Sequence, residues 1–353
     1  MLPRKKVEVT LFKTMWSITD GGCVAALQCH MQRLYAIVGV RFSRRLQNVM
    51  TLRIALIGEC MVELSRQGDA LVQGMGGDTL NTAVYLSRML PDADIAYLTG
   101  LGLDPFSEEL LARWNAEGIN TQYVHRSATK LPGLYSISTD PNGERHFHYW
   151  RNDSAAKFWL NETDTEALKA SLAGFYLVYL SGISLAILPR EARQTLFSLL
   201  SVIKPHCRVV FDNNFRPALW DSFEEAQAAY REVLALTDIA MLTFDDEQAL
   251  WGDETVEASL LRTQSLGVSE VVYKHGAKPC EVFTHQKRTE VSAEKVVQVV
   301  DTTAAGDSFS AGYLAKRLTG GGVEAAAQAG HKLAGQVIQH HGAIIPLSAM
   351  PTI

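Results

Sequence analysis

The chain lacks any run of about 18 apolar residues, so no membrane-spanning helix is expected. It has no GxxxxGKS or GxxxxGKT loop, which removes P-loop kinases from consideration. It has no CxxC pair. Its five cysteines, Cys23, Cys29, Cys60, Cys207 and Cys280, have no metal-ligand spacing, and their odd number argues against a disulfide framework. A reducing, cytoplasmic setting is therefore the expectation. There is little excess charge: the net value of −5 argues against broad binding to nucleic acid or to a membrane surface. What remains is an ordinary globular composition, 47% hydrophobic, in a chain of 353 residues. That length can bury a sizeable core in one large α/β domain or two smaller ones.

Residues 1–49 differ from the rest. They carry eight Lys or Arg against two acids, Glu8 and Asp20, and show no sustained periodicity. The apolar stretch CVAAL is too short for the core of a signal peptide, whereas the basic, acid-poor composition fits a transit peptide. The alternative is a fold that starts at Met50, with 1–49 a non-native start or disordered. The last is the expectation adopted.

From Met50 onward, strand and helix patterns alternate. Leu52–Ile57 is a continuous apolar run ending in Gly58-Glu59, as in a buried parallel strand. Ile95–Thr99, Phe175–Leu180, Val209–Asp212, Ile239–Thr243 and Val271–Lys274 read the same way, with extended pieces at 281–284 and 289–299. Helices are expected at Thr79–Met89, from Asp104-Pro105 to Glu117, at 256–267 and at Gly322–His341. Alternation of this kind gives an α/β fold with a mainly parallel sheet. Two stretches break it. Leu64–Val72 is polar and contains Gly, and 131–150 reads as a hairpin, LYSIST and RHFHYW around Pro141-Asn142-Gly143. Together they suggest a small β-sheet, about 62–75 and 131–150, of the kind a lid over a site would need.

The stretch DTTAAGDSFSAG, residues 301–312, carries the chemistry. Ala304, Ala305 and Gly306 have almost no bulk, so their backbone N–H groups can approach a ligand. Phe309, Tyr313, Leu314 and Leu318 then follow at helical spacing. A helix N-terminus attracts anions such as phosphate. A carboxylate there, Asp307, repels such a ligand unless it handles a proton or a metal, the arrangement needed to move a phosphoryl group onto a hydroxyl. An ordinary helix start with Asp307 complementing the dipole accounts for the same residues taken alone.

DTTAAGDSFSAGYL resembles the C-terminal signature of the ribokinase-like (PfkB) sugar kinases, and GGDTLNTAVYLSR at 76–88 resembles the N-terminal one. Between and after them EGINT, LPGLYSI, ERHFHYWRNDSAAKFW, YLSGISLAIL, FDNNFRPALW, AGHKLAG and GAIIP fall in order, so the resemblance spans about residues 52–350. It implies a ribokinase-like kinase domain over 50–353, ATP and Mg²⁺ as cofactors, and a β lid that covers the sugar and often forms a homo-oligomer contact. It also implies Asp307 as general base, with the backbone of Ala304, Ala305, Gly306 and Asp307 as the hole for phosphoryl charge.

Arg151 and Arg216 are the informative substrate residues. A neutral sugar has no need of two guanidinium groups, whereas Arg suits two-point recognition of a carboxylate, so a sugar acid is expected. In acid-sugar members of the resembling family, Gly76, Gly77, Asp78, Thr79, Leu80, Tyr135, Tyr149, Trp150, Arg151 and Arg216 match substrate-contacting positions; Asn81 can also bond hydroxyls. Asn214, Lys274 and Gly276 fall where such kinases approach ATP, with Arg216 beside them. Glu247 matches the acid of an N-x-x-E element that helps hold Mg²⁺ through water. The chain departs from the pattern twice, with Phe244 at the Asn position and with Ala304 where the commonest form has Gly. Ala304 is therefore expected to avoid a glycine-only conformation and to leave activity intact.

Overall fold

The computed structural model describes residues 51–139, 145–285 and 287–353. The domain expectation for 1–49 and the Pro141-Asn142-Gly143 turn lie outside them.

Fourteen strands are present among the described residues: β1 Arg53–Ile57, β2 Met61–Gln67, β3 Ala70–Gly76, β4 Asp94–Leu98, β5 Gly100–Leu101, β6 His125–Arg126, β7 Leu134–Thr139, β8 Arg145–Trp150, β9 Leu177–Ser181, β10 Arg208–Asp212, β11 Ile239–Thr243, β12 Glu270–Lys274, β13 Cys280–Thr284 and β14 Lys287–Val291. Eight form the main sheet in the order β14-β13-β12-β11-β10-β9-β1-β4. From β12 to β4 every pairing is parallel, and β13 and β14 close the edge as antiparallel strands.

Both faces of this sheet are covered, which is why its strands read as unbroken apolar runs. Ile54 and Leu56 of β1 point into one core, shared with Leu80 and Val84 of the helix Asp78–Met89 and with Phe309 and Tyr313 of the helix Ala305–Leu318. Ala55 and Ile57 point into the other, against Leu196 and Leu200 of Arg190–Ile203 and Val233 of Phe223–Leu236. Parallel strands all end on one edge, so Glu59, Ser181, Asp212, Thr243 and Lys274 collect there. The second sheet, β3-β2-β7-β8, begins at that edge, because β2 follows β1 after three residues. The two excursions of the sequence are thus a four-stranded lid.

Boundaries differ in two places. The 289–299 extended piece is a strand only to Val291, and Val297 is almost fully exposed. The helix expected to run to His341 ends at Val337. There the Ile338 carbonyl accepts the N–H groups of Val300 (2.8 Å) and Asp301 (3.2 Å), and the Asp301 carboxylate accepts the Gly342 N–H at 3.0 Å, so the chain turns away.

Candidate active site

Two helix N-termini meet at the C-terminal edge of the sheet. Asp78 opens the helix Asp78–Met89 and Asp307 lies in the first turn of Ala305–Leu318. Asn81 Nδ2 donates to Asp307 Oδ2 at 2.8 Å, and Asn214 Nδ2 donates to Asp78 Oδ2 at 2.6 Å. Asn214 has a positive φ of 25°, a left-handed conformation that Asn tolerates better than most residues. Its neighbour Asn213 holds it there: Asn213 Oδ1 accepts the N–H groups of Asn214 at 2.9 Å and of Thr243 at 3.0 Å.

The Asp307 carboxyl is pushed up to about 7. Burial is the largest cause and the neighbouring Asp78 charge the next; Asp212 adds to the rise, while the Asn81 hydrogen bond and Lys274 oppose it. Lys274 Nζ is 2.6 Å from Asp212 Oδ2, which also accepts from Ser310 Oγ at 3.0 Å and Tyr179 OH at 3.1 Å. The same ammonium would stand 3.6 Å from a Cβ placed on Gly306, so a fixed cation flanks the small-residue turn.

That turn keeps free donors. The Ala305 N–H is spent on the Thr302 carbonyl at 3.2 Å, but those of Ala304, Gly306 and Asp307 have no acceptor among the described residues. Ala304 has φ 60° and ψ 16°, in the left-handed region that favours glycine, contrary to the expectation that it would avoid such a conformation. The turn imposes it: the chain must reverse between Thr302 and the first helical residue, and the missing glycine is replaced at a cost of about 1–2 kcal/mol.

These groups line a cavity of about 560 Å³, a size suited to small ligands. Of the residues expected at a site, Gly76, Gly77, Asp78, Asn81, Tyr135 and Tyr149 line it. Asn214, Arg216, Lys274 and Ala304 through Asp307 line it too. Gly76 and Gly77 serve close packing, since a Cβ would fall 2.1 Å from the Tyr135 hydroxyl or 2.2 Å from the Glu59 carbonyl oxygen. Tyr135 in turn donates to Glu63 Oε2. The Arg216 side chain is 54% exposed, with Asp246 Oδ1 3.7 Å away.

Other expected residues are not brought to the cavity. Thr79 and Leu80 are fully buried, Thr79 Oγ1 lying 3.0 Å from the Tyr97 hydroxyl. Trp150 is largely exposed outside it, and Gly276 forms a left-handed turn beyond Lys274. Arg151 is ion-paired with buried Glu59. Glu247 has no free oxygen: Oε1 accepts from Asn213 Nδ2 at 2.9 Å, and Oε2 from Ser259 Oγ at 3.0 Å and from Arg262. The acids that do face the cavity beside it are Asp245 and Asp246, and Asp212 forms part of its floor. Sequence reasoning missed Asp212, Asp245 and Asp246 as lining residues, although Asp212 ends β10 and the other two follow β11 within three residues. Among the described residues no group of three or more His, Cys, Asp or Glu is placed to hold a metal, and no helix is long and apolar enough to cross a membrane.

The pfkB family carbohydrate kinase model matches residues 51–350. The chain is 54% identical over 307 residues to 2-dehydro-3-deoxygluconokinase of Dickeya dadantii, covering 85% of this chain and 99% of that one. It is 52% identical over 308 residues to the Escherichia coli K12 protein of the same name, covering 86% and 100%. In structure it resembles fructokinase with bound ATP from Xylella fastidiosa, with TM-score 0.74, 22% identity and coverage of 85% and 95% of the two chains. The ribokinase-like α/β fold with its lid and the two signatures at the cavity agree with that match: the chain belongs to the pfkB family of carbohydrate kinases.

Proposed function

We propose that this kinase transfers the γ-phosphoryl group of ATP to the terminal hydroxyl of 2-keto-3-deoxygluconate. The observation that carries the mechanism is Asp307, half-buried at the cavity wall, its carboxyl pushed up to about 7, and set beside three unpaired backbone N–H groups. The substrate assignment is supported by relatives that match over their whole length and carry that activity in their names.

Asp307 accepts the hydroxyl proton as the new oxygen–phosphorus bond forms and the bond to the departing ADP oxygen breaks. A pKa near 7 suits a base that must be ionised yet willing to hold a proton. Asn81 fixes one carboxylate oxygen and leaves the other for the substrate. The N–H groups of Ala304, Gly306 and Asp307, with Lys274, stabilise the charge that builds on the transferring group. Arg216, half-exposed in the cavity, meets the sugar carboxylate. Tyr135 and Tyr149 cover the sugar from the lid, and Asn214 and Lys274 hold the nucleotide phosphates. ATP supplies the phosphoryl group and Mg²⁺ neutralises part of its charge. Asp245 and Asp246 are the acids available to water on that ion, in keeping with a metal held mainly through phosphates. The exposed Leu71 and Trp150 on the lid support pairing of two copies through that sheet.

The test is ATP turnover with 2-keto-3-deoxygluconate, fructose, ribose and adenosine in parallel. Strong preference for the keto acid is expected; preference for a neutral sugar would leave the fold and base standing and remove the carboxylate assignment.

A further inference from the structure

Glu59 and Arg151 connect the two sheets. Glu59 follows β1 at the edge of the main sheet and its side chain is 1% exposed; Arg151 follows β8, the last lid strand, with its side chain 10% exposed. They are 92 residues apart in sequence. Arg151 Nη2 donates to Glu59 Oε2. Glu59 Oε1 and Arg151 Nε are both buried and have no hydrogen-bond partner among the described residues.

The two orphan atoms are complementary. In a guanidinium, Nε–H and Nη2–H lie side by side and match the two oxygens of one carboxylate. The pair therefore holds one of two parallel bonds, and the donor and acceptor of the second sit unused on the same two side chains. Buried groups of this kind are costly to leave unpaired. A small shift of the end of β8 relative to the segment that follows β1 would satisfy both at once.

The surroundings decide which partner moves. A Cβ on Gly133 would stand 2.7 Å from Glu59 Oε1 and 3.3 Å from Arg151 Cβ, so no side chain fills the corner. The Gly133 carbonyl accepts the Val62 N–H at 2.8 Å, which ties β7 to β2 and leaves β8 at the sheet edge. Tyr149 precedes Arg151 by two residues, lies 6.0 Å from its guanidinium and lines the cavity. Movement of Arg151 carries Tyr149 with it.

We propose that Glu59 is a positioning residue: through Arg151 it draws the lid strand β8 down over the bound sugar, completing a two-point pair on closure. This rests on the sugar-acid kinase reading for its substrate, although Glu59 itself touches neither sugar nor nucleotide.

The test is Glu59→Gln, which keeps shape but loses the second acceptor and the charge, alongside Arg151→Lys, which keeps charge but has no parallel donors. For Glu59→Gln, KM for the keto acid rises about tenfold while kcat stays within about twofold of wild type. The keto acid with a non-hydrolysable ATP analogue protects amides 146–151 from hydrogen exchange in wild type and no longer does so in the variant. Arg151→Lys shows the same loss of protection, and the double variant is no worse than either single change. Unchanged KM and unchanged protection in Glu59→Gln overturn the proposal whatever its melting temperature, as do fully additive effects. If Glu59→Gln does not fold, Arg151→Lys alone decides by the same two readouts. A wild type that ignores the keto acid refutes the substrate reading instead, and the same protection measurement, made with whichever sugar the wild type phosphorylates, then decides for or against Glu59.

Discussion

Asn81 Nδ2 and Asp307 Oδ2 lie 2.8 Å apart although 226 residues separate them in sequence. This contact joins the first turns of the two helices that carry the family's two signatures, and it fixes one oxygen of the proposed base. The bond favours the ionised carboxylate, so it acts against the burial and the Asp78 charge that push Asp307 up to about 7. Removing it in Asn81→Ala is expected to move the acid limb of the kcat/KM profile to higher pH. A pH–rate profile of the variant checks this, and an unmoved or lowered limb would count against Asn81 as the orienting group.

The same shift fixes the pH dependence of the wild type. A base must be ionised, so kcat/KM should rise with pH through about 7 and level off above it. A profile already flat from pH 5 would mean that another group takes the proton.

Stability should run the other way. Asp307 binds its proton more tightly folded than unfolded, so the stability linked to it is full below about 4, is lost as pH rises towards about 7, and stays lost above. Asp307→Asn removes that penalty. Its Tm should exceed wild type at pH 8 and match it closely at pH 4; the reverse order would contradict the burial argument.

Much of this was legible in the sequence. The parallel sheet follows from runs such as Leu52–Ile57, the lid from Leu64–Val72 and 131–150, and a tight turn into a helix from the small residues before Asp307. What was not legible depends on which side chains meet across the fold. Arg151 and Arg216 read alike as carboxylate binders, yet one is spent on Glu59 and the other faces the cavity. Glu247 was placed by motif spacing, but Asn213, Ser259 and Arg262 take both its oxygens. Helix ends at Val337 rather than His341 were set by Val300 and Asp301, which no local pattern announces.

The two arginines should therefore separate in experiment. Arg216→Ala is expected to raise KM for the keto acid about tenfold to a hundredfold, as befits loss of a charged hydrogen-bonded contact, with residual activity on neutral sugars unaffected. Equal losses on acid and neutral sugars would remove Arg216 from carboxylate recognition.

Ala304 offers a test of the turn itself. With φ at 60°, Ala304→Gly relieves a left-handed Ala and should leave stability equal or higher by about 1 kcal/mol with activity kept. Ala304→Val puts a branched side chain in the same conformation and should lower both. Thermal melts of the two variants decide, and a stabilised Ala304→Val would refute the assigned turn geometry.

The most direct test of the account is kcat for Asp307→Asn with ATP and 2-keto-3-deoxygluconate both saturating, with binding of the keto acid followed by calorimetry. Loss of the base is expected to lower kcat about a thousandfold while the keto acid still binds. Wild-type turnover in that variant would contradict the mechanism, because no proton could then be passing to Asp307.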